Sequence, residues 1–192
     1  LYLFILIGIS CSAELKAQRN GTVYKGNDPA VRYTGRTLVS SDGSVAFDWV
    51  GTYLETRFTG GRLSVKVSET GTSYYNVFVD GKLHKVVKVC GTDTLIHLVS
   101  GIDKRIHSLK IQKRSEGEFG KTTIHQFVLS GSGRLAEEPA VRTRHIEFIG
   151  NSLTCGYGTD GKHRDEPFLV ETENCNLTFA SMVARYYDAD YT

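Results

Sequence analysis

The 192 residues carry 23 basic and 21 acidic side chains, a formal net charge of +2, and 40% of them are hydrophobic. That balance is ordinary for a soluble globular protein with one large domain or two small ones, and it excludes wholesale disorder. With no large field of one sign to attract a phosphate backbone, it also sets nucleic acid aside as a partner.

Residues 1–9, LYLFILIGI, are almost entirely apolar, and Ser10, Cys11, Ser12 and Ala13 follow. The run is far shorter than the roughly 20 residues of a membrane-spanning helix. It reads as the apolar centre of a secretory signal remnant over residues 1–17, with a buried core helix as the bland alternative. The expected location is therefore outside the cytoplasm, secreted, periplasmic or lipid-anchored. Cys11 is then either a lipid attachment point or part of the apolar run. In an oxidising compartment Cys155 and Cys175, which flank a loop, can pair, whereas Cys90 has no evident mate. The absence of any C-x-x-C pair argues against a structural zinc site.

From about residue 18 to residue 130 the chain is a succession of short alternating runs separated by turn residues. Val45, Phe47 and Trp49 share one strand face, which makes Trp49 a core residue rather than a platform for sugar rings. Leu54, Thr56 and Phe58 share the next face, the TGGR stretch reads as a turn, and Leu63, Val65 and Val67 line another strand. Asp80-Gly81 between alternating runs is a hairpin signal, because both residues tolerate positive φ. Further runs at 94–99, 106–111 and 123–129 bring the total to about eight or nine strands, the pattern of a β-sandwich or jelly roll. The basic residues of 104–114 alternate with Ile106, Leu109 and Ile111, as on the wet face of an edge strand.

Residues 131–141, GSGRLAEEPAV, break the alternation and read as a linker. Beyond it the period changes. Ile146, Phe148 and Ile149 form an apolar run expected to be a buried strand, Gly150 and Asn151 a tight turn, and residues 157–174 a polar loop. Leu177, Ala180, Val183, Ala184 and Tyr187 then recur at helical spacing. Strand, loop and helix open a βαβ unit, whose second parallel strand is expected to begin around Asp188–Thr192. One strand and one helix cannot bury a closed core, so the apolar faces of residues 142–192 must lean on the sandwich or stay exposed. A protease is expected to trim this segment back toward residue 135.

Ser152 follows the Gly150-Asn151 turn, where open α/β sheets place their chemistry. The G-x-S-x-G elbow does not match, since Thr154 stands where the second glycine belongs. Taken alone, Gly-Asn-Ser is also an ordinary turn. The run IGNSLTCGYG, however, resembles the first conserved block of the SGNH or GDSL hydrolases, with Asn151 in place of the usual Asp. Together with YTGR at 33–36, FDWVG at 47–51, VDG at 79–81 and ETEN at 171–174, the chain resembles carbohydrate esterase family 2 over nearly its whole length.

The resemblance implies a jelly-roll sandwich over residues 18–130 and the first βα unit of a flavodoxin-like SGNH domain over residues 142–192. It implies deacetylation of O-acetylated plant polysaccharides such as xylan or glucomannan, with Ser152 as nucleophile and its amide as one oxyanion donor. The histidine base and the remaining oxyanion donors, a glycine amide and an Asn side chain, belong to later blocks of the family. Asp160 to His163 spells the D-x-x-H of such a base, but Asp160-Gly161 is a typical turn pair and the family's base lies much further along. His84, His97, His107 and His125 fall on sandwich strands and His145 enters the strand before Ser152, so none is expected to catalyse. No cofactor or metal is implied. From another functional class, a carbohydrate-binding sandwich without catalysis stands as the alternative.

Overall fold

The computed structural model describes residues 21–137 and 140–192, so the expected signal remnant and Cys11 lie outside the described residues. Eight strands form one sheet that curls on itself. They are β1 (Thr22–Lys25), β2 (Val31–Thr34), β3 (Leu38–Val39), β4 (Val45–Phe47), β5 (Tyr53–Val79), β6 (Lys82–Lys113), β7 (Thr122–Leu129) and β8 (Arg134–Leu135). The two long strands do most of the curling. Residues 53–59 of β5 pair with 106–112 of β6, residues 63–67 with 94–99, and residues 72–79 fold back on 82–90. The same 75–79 stretch also lies against 109–113, so that part of β6 has a β5 neighbour on each side and the sheet closes over a single core.

The TGGR stretch is therefore not a turn but a break in register within β5, where Gly61 departs from the pleat with φ +85°. The Asp80-Gly81 hairpin is formed as expected, with φ values of 50° and 74°. Alternation puts Phe58, Leu63, Val65, Val77, Leu109, Phe127 and Leu129 inside, each at most 3% exposed. Trp49 is a correction. It lies beyond the end of β4, where the pleat no longer dictates facing, and is 58% exposed, with the Arg36 guanidinium 5.3 Å from its ring centre. Within the segment expected to be linker, β8 pairs with β5 and buries Leu135, so the sheet extends past residue 130.

After this sheet come β9 (His145–Ile146), α1 (Ser152–Cys155), α2 (Phe179–Tyr186) and β10 (Asp190–Tyr191). β10 pairs parallel to β9, which completes the βαβ unit anticipated from the sequence. The expected buried strand is shorter and wetter than its composition suggested. Ile146 and Phe148 are half-buried and Ile149 is 92% exposed, because a two-stranded sheet with one helix over it has one covered face. α2 is likewise narrower than its apolar spacing implied. Ala180, Ser181 and Ala184 are buried, while Leu177, Val183 and Tyr187 remain exposed.

Two clusters of contacts help fasten the unit to the curled sheet. Tyr53 from β5, Ala184 from α2 and Tyr191 from β10 form a small second core, joined by Phe148. Around it the Asp190 carboxylate accepts hydrogen bonds from Tyr53 (2.6 Å), Arg32 (2.7 Å) and Arg142 (2.7 Å), and both arginines also reach Glu55. Burial alone would raise the Asp190 carboxyl, but the bonds from Arg32, Tyr53 and Arg142 hold it well below the usual carboxylate range. The second fastening is made by Arg114 and Asn76. Arg114 Nε donates to the Glu173 carbonyl at 3.0 Å and its guanidinium pairs with Asp160, while Asn76 donates to Asn174 at 3.0 Å.

Candidate functional site

Ser152 is the first residue of α1 and is exposed to solvent. Three local features build its turn. Asn151 is extended (φ −123°, ψ −157°) and its side chain accepts from the Leu153 amide at 3.1 Å, an N-cap that an Asp in the same place would also provide. Gly150 sits so close to Thr154 that a Cβ there would lie 1.9 Å from the Thr154 hydroxyl. Gly156 closes α1 at φ +90°, and its amide and that of Tyr157 both return to the Ser152 carbonyl, at 2.9 and 3.1 Å. Among the described residues the amide of Ser152 meets no backbone or side-chain acceptor, as expected for the first turn of a helix.

No histidine is hydrogen-bonded to Ser152 among the described residues. His163 is exposed in the loop beyond α1, with its carbonyl bonded to the Glu166 amide. His97 pairs with Ser64 and His125 with Ser68, both at 2.8 Å, and His145 faces Thr192 at 3.1 Å. His107 is clamped between Asp80 (2.8 Å) and Asp103 (2.9 Å). Burial works against its charge, but the two carboxylates outweigh burial and raise its pKa, so it serves as a clasp across the sheet end. His84 is exposed.

A cleft of about 50 Å³ opens between the curled sheet and the βαβ unit, with Val50, Gly51, Phe148, Thr154, Cys175 and Tyr191 among its walls. That is room for one or two waters, not for a sugar, and Ser152 is not part of its lining. Ser152 is exposed, whereas Thr154, two residues further along α1, lines the cleft.

The structure also gathers groups that sequence spacing could not connect. Glu116, just past the end of β6, meets Cys155 and Glu173, with their ligating atoms within 4.8 Å of one another. Each is already engaged. The Cys155 thiol donates to Glu116 Oε1 at 2.8 Å, the Tyr157 hydroxyl donates to Glu116 Oε2, and the Glu116 amide donates to the Glu173 carboxylate at 3.1 Å. Burial and the neighbouring carboxylates raise the Cys155 thiol well above its ordinary range, so it acts as a donor and not as a nucleophile. The pairing of Cys155 with Cys175 that the sequence permitted is not formed. Both are free thiols, and Cys175 donates instead to the Lys113 carbonyl at 3.3 Å. Glu173 is fully buried, and its carboxyl is raised to about 8, first by desolvation and then by the charge of Glu116. Of this group Cys155 lies in the IGNSLTCGYG block and Glu173 in the ETEN segment, whereas Glu116 belongs to neither.

Comparison with known proteins agrees with this geometry. The family model described as carbohydrate esterase 2 N-terminal matches residues 33–139. The cellulase/esterase CelE of Acetivibrio thermocellus is 32% identical over 163 residues, covering 85% of this chain and 20% of that protein. An acetylxylan esterase / glucomannan deacetylase of Cellvibrio japonicus is 30% identical over 164 residues, covering 85% of this chain and 45% of that protein. Among solved structures, a family two carbohydrate esterase from Clostridium thermocellum in complex with cellohexaose superposes with a TM-score of 0.80 at 32% identity, over 84% of this chain and 49% of the other. A family two carbohydrate esterase from Cellvibrio japonicus gives 0.79 at 25% identity, over 90% of this chain and 51% of that one. The chain thus spans about half the length of these solved relatives. Those neighbours share its jelly-roll fold, and the chain belongs to carbohydrate esterase family 2.

Proposed function

We propose that these residues form the sandwich and the serine-bearing part of an esterase that removes O-acetyl groups from plant polysaccharides, xylan or glucomannan, with Ser152 as the nucleophile. The observation that carries the reading is the placement of Ser152: exposed, first in a short helix and held by an Asn cap, with its own amide meeting no acceptor among the described residues. In the proposed reaction Ser152 Oγ attacks the acetyl carbonyl carbon while its proton passes to a histidine base. The oxyanion of the tetrahedral intermediate takes a hydrogen bond from the Ser152 amide. Collapse expels the sugar oxygen, which receives that proton, and water then hydrolyses the acetyl-serine. The acetylxylan esterase named among the relatives supports the substrate class. The apolar run at residues 1–9 supports secretion, and no helix of the described residues is long and apolar enough to cross a membrane.

None of the six histidines is bonded to Ser152 among the described residues, and loss of the base alone costs a serine hydrolase about 10⁶-fold in turnover. The 192 residues alone are accordingly expected to show no Ser152-dependent hydrolysis of an aryl acetate. The positive test joins this chain to the carboxyl-terminal half of the Cellvibrio japonicus relative and measures acetate released from acetylated xylan and glucomannan. Release abolished by Ser152→Ala is the expected result. Equal release from the Ser152→Ala chimera would overturn the assignment.

A carbohydrate-binding role for the sandwich is favoured by one observation, the exposed Trp49 ring beside Arg36. Binding of the chain to acetylated glucomannan that is lost in Trp49→Ala, with no Ser152-dependent chemistry in the chimera, would establish that reading instead.

A further inference from the structure

α1 has four residues, far too few to be stable as an isolated helix, so the orientation of Ser152 must be imposed from outside it. At its start the Asn151 cap does this locally. At its other end the hold comes from the sandwich. Glu116, three residues beyond β6, offers both carboxylate oxygens to the segment that follows Ser152, Oε1 to the Cys155 thiol at 2.8 Å and Oε2 to the Tyr157 hydroxyl. Tyr157 in turn donates its amide to the Ser152 carbonyl at 3.1 Å, so two hydrogen bonds connect Glu116 to the backbone of the serine.

Glu116 is itself held on the other side. Its amide bonds the buried Glu173 carboxylate at 3.1 Å, and the preceding Arg114 bonds the Glu173 carbonyl at 3.0 Å. Glu118 adds a second acceptor for the Tyr157 hydroxyl at 3.1 Å, and the Tyr157 ring stacks on Phe168 with centroids 4.2 Å apart. Apart from the Tyr157–Phe168 stack, each of these contacts places a group of the sandwich against the turn that carries the serine or against the loop that follows it.

We propose that Glu116 is a positioning residue for Ser152: the sandwich reaches into the esterase site from behind and sets the angle at which α1 presents its first residue. The role rests on the reading of Ser152 as the nucleophile. It makes the sandwich a working part of the enzyme and not a detachable module. A carboxylate is suited to the task because it accepts two hydrogen bonds in divergent directions, whereas an amide side chain keeps one acceptor oxygen.

The test uses the chain as it stands and amide hydrogen exchange resolved by residue. Glu116→Ala is expected to speed exchange at Cys155, Gly156 and Tyr157 at least tenfold, to make the Cys155 thiol open to alkylation, and to leave sandwich amides such as Val65 and Ile111 unchanged. Glu116→Gln keeps the volume but only one acceptor oxygen, and is expected to lose a large part of the same protection, which loss of packing volume alone would not explain. Tyr157→Phe removes one hydroxyl without touching the sandwich, and is expected to loosen the same amides by a smaller factor. Unchanged exchange in α1 on Glu116→Ala would overturn the proposal, as would a uniform rise across both parts of the chain. A wrong assignment of Ser152 would leave these rates untouched and would show only in the acetate-release assay.

Discussion

Gly156 does two jobs that no other residue can combine. Its φ of +90° ends α1 in the left-handed region, and a Cβ there would lie 2.6 Å from the backbone carbonyl of Asn174, whose amide donates to the Gly156 carbonyl at 3.0 Å. The turn after the serine is therefore closed against the loop that carries Glu173. Left-handed strain of roughly 1–2 kcal/mol adds to the cost of forcing two backbones apart, about 1–3 kcal/mol. Gly156→Ala is expected to destabilise the protein by about 3 kcal/mol in urea unfolding. A loss under 1 kcal/mol would mean that the Asn174 segment can move aside. Sequence pattern alone exposed part of this scale. Ser152, Gly150 and Asn151 were legible because turn chemistry is local, whereas Glu116 and Trp49 were not. The partners of Glu116 lie 39 and 41 residues away in the chain, and Trp49 stands just where strand periodicity stops applying.

At the level of elements, the loop and 3-10 turns between α1 and α2 carry a buried acid whose titration couples to their docking. The Glu173 carboxyl is raised to about 8, so in the folded chain it keeps its proton to higher pH than in the unfolded chain, where a carboxyl titrates near 4.5. Between those two values the folded state binds more protons, and stability must fall as pH rises. Melting temperatures from pH 5 to pH 8 are expected to drop, and Glu173→Gln to flatten that slope. A slope unchanged in the variant would assign the effect to another group.

The same loop sets the site of proteolysis. Residues 158–169 are exposed throughout, with Lys162 and Arg164 inside the run. In the joining segment, by contrast, Arg142 is paired with Glu55 and Asp190, and Arg144 donates to the Tyr187 carbonyl at 2.8 Å. Trypsin is expected to cut first at Lys162 or Arg164, leaving the pieces associated. Trimming back toward residue 135, the outcome inferred from the sequence, would show the βαβ unit to be loosely held.

Across the whole molecule, Asp190 is the hub that ties β10 to β2, β5 and the joining segment. Its side chain is 7% exposed and is flanked by two guanidinium groups. Replacing one partner of a buried ionic group leaves its counter-charges uncompensated, a loss of about 3–5 kcal/mol. Asp190→Asn is expected to cost about 3 kcal/mol and to remove exchange protection from β9 and β10 while β5 and β7 keep theirs. Because its carboxyl is held low, the stabilisation it gives is complete above the ordinary carboxylate range and is lost as pH falls below it. An unchanged denaturation midpoint would mean that Arg32 and Arg142 find Glu55 sufficient.

What the chain determined unaided was whatever depends on short range. Period-two runs marked the strands, Asp80-Gly81 the hairpin, the change of period the βαβ unit, and a turn motif the serine, because each is dictated by neighbours a few residues apart. The tertiary structure alone decided how the serine turn is held. Charges and hydroxyls from distant strands converge on the seam between the curled sheet and the βαβ unit, and no local preference encodes a meeting between residues 116 and 155. Burial there makes the difference, since the water that would otherwise satisfy those groups is excluded and each must find a partner across the seam.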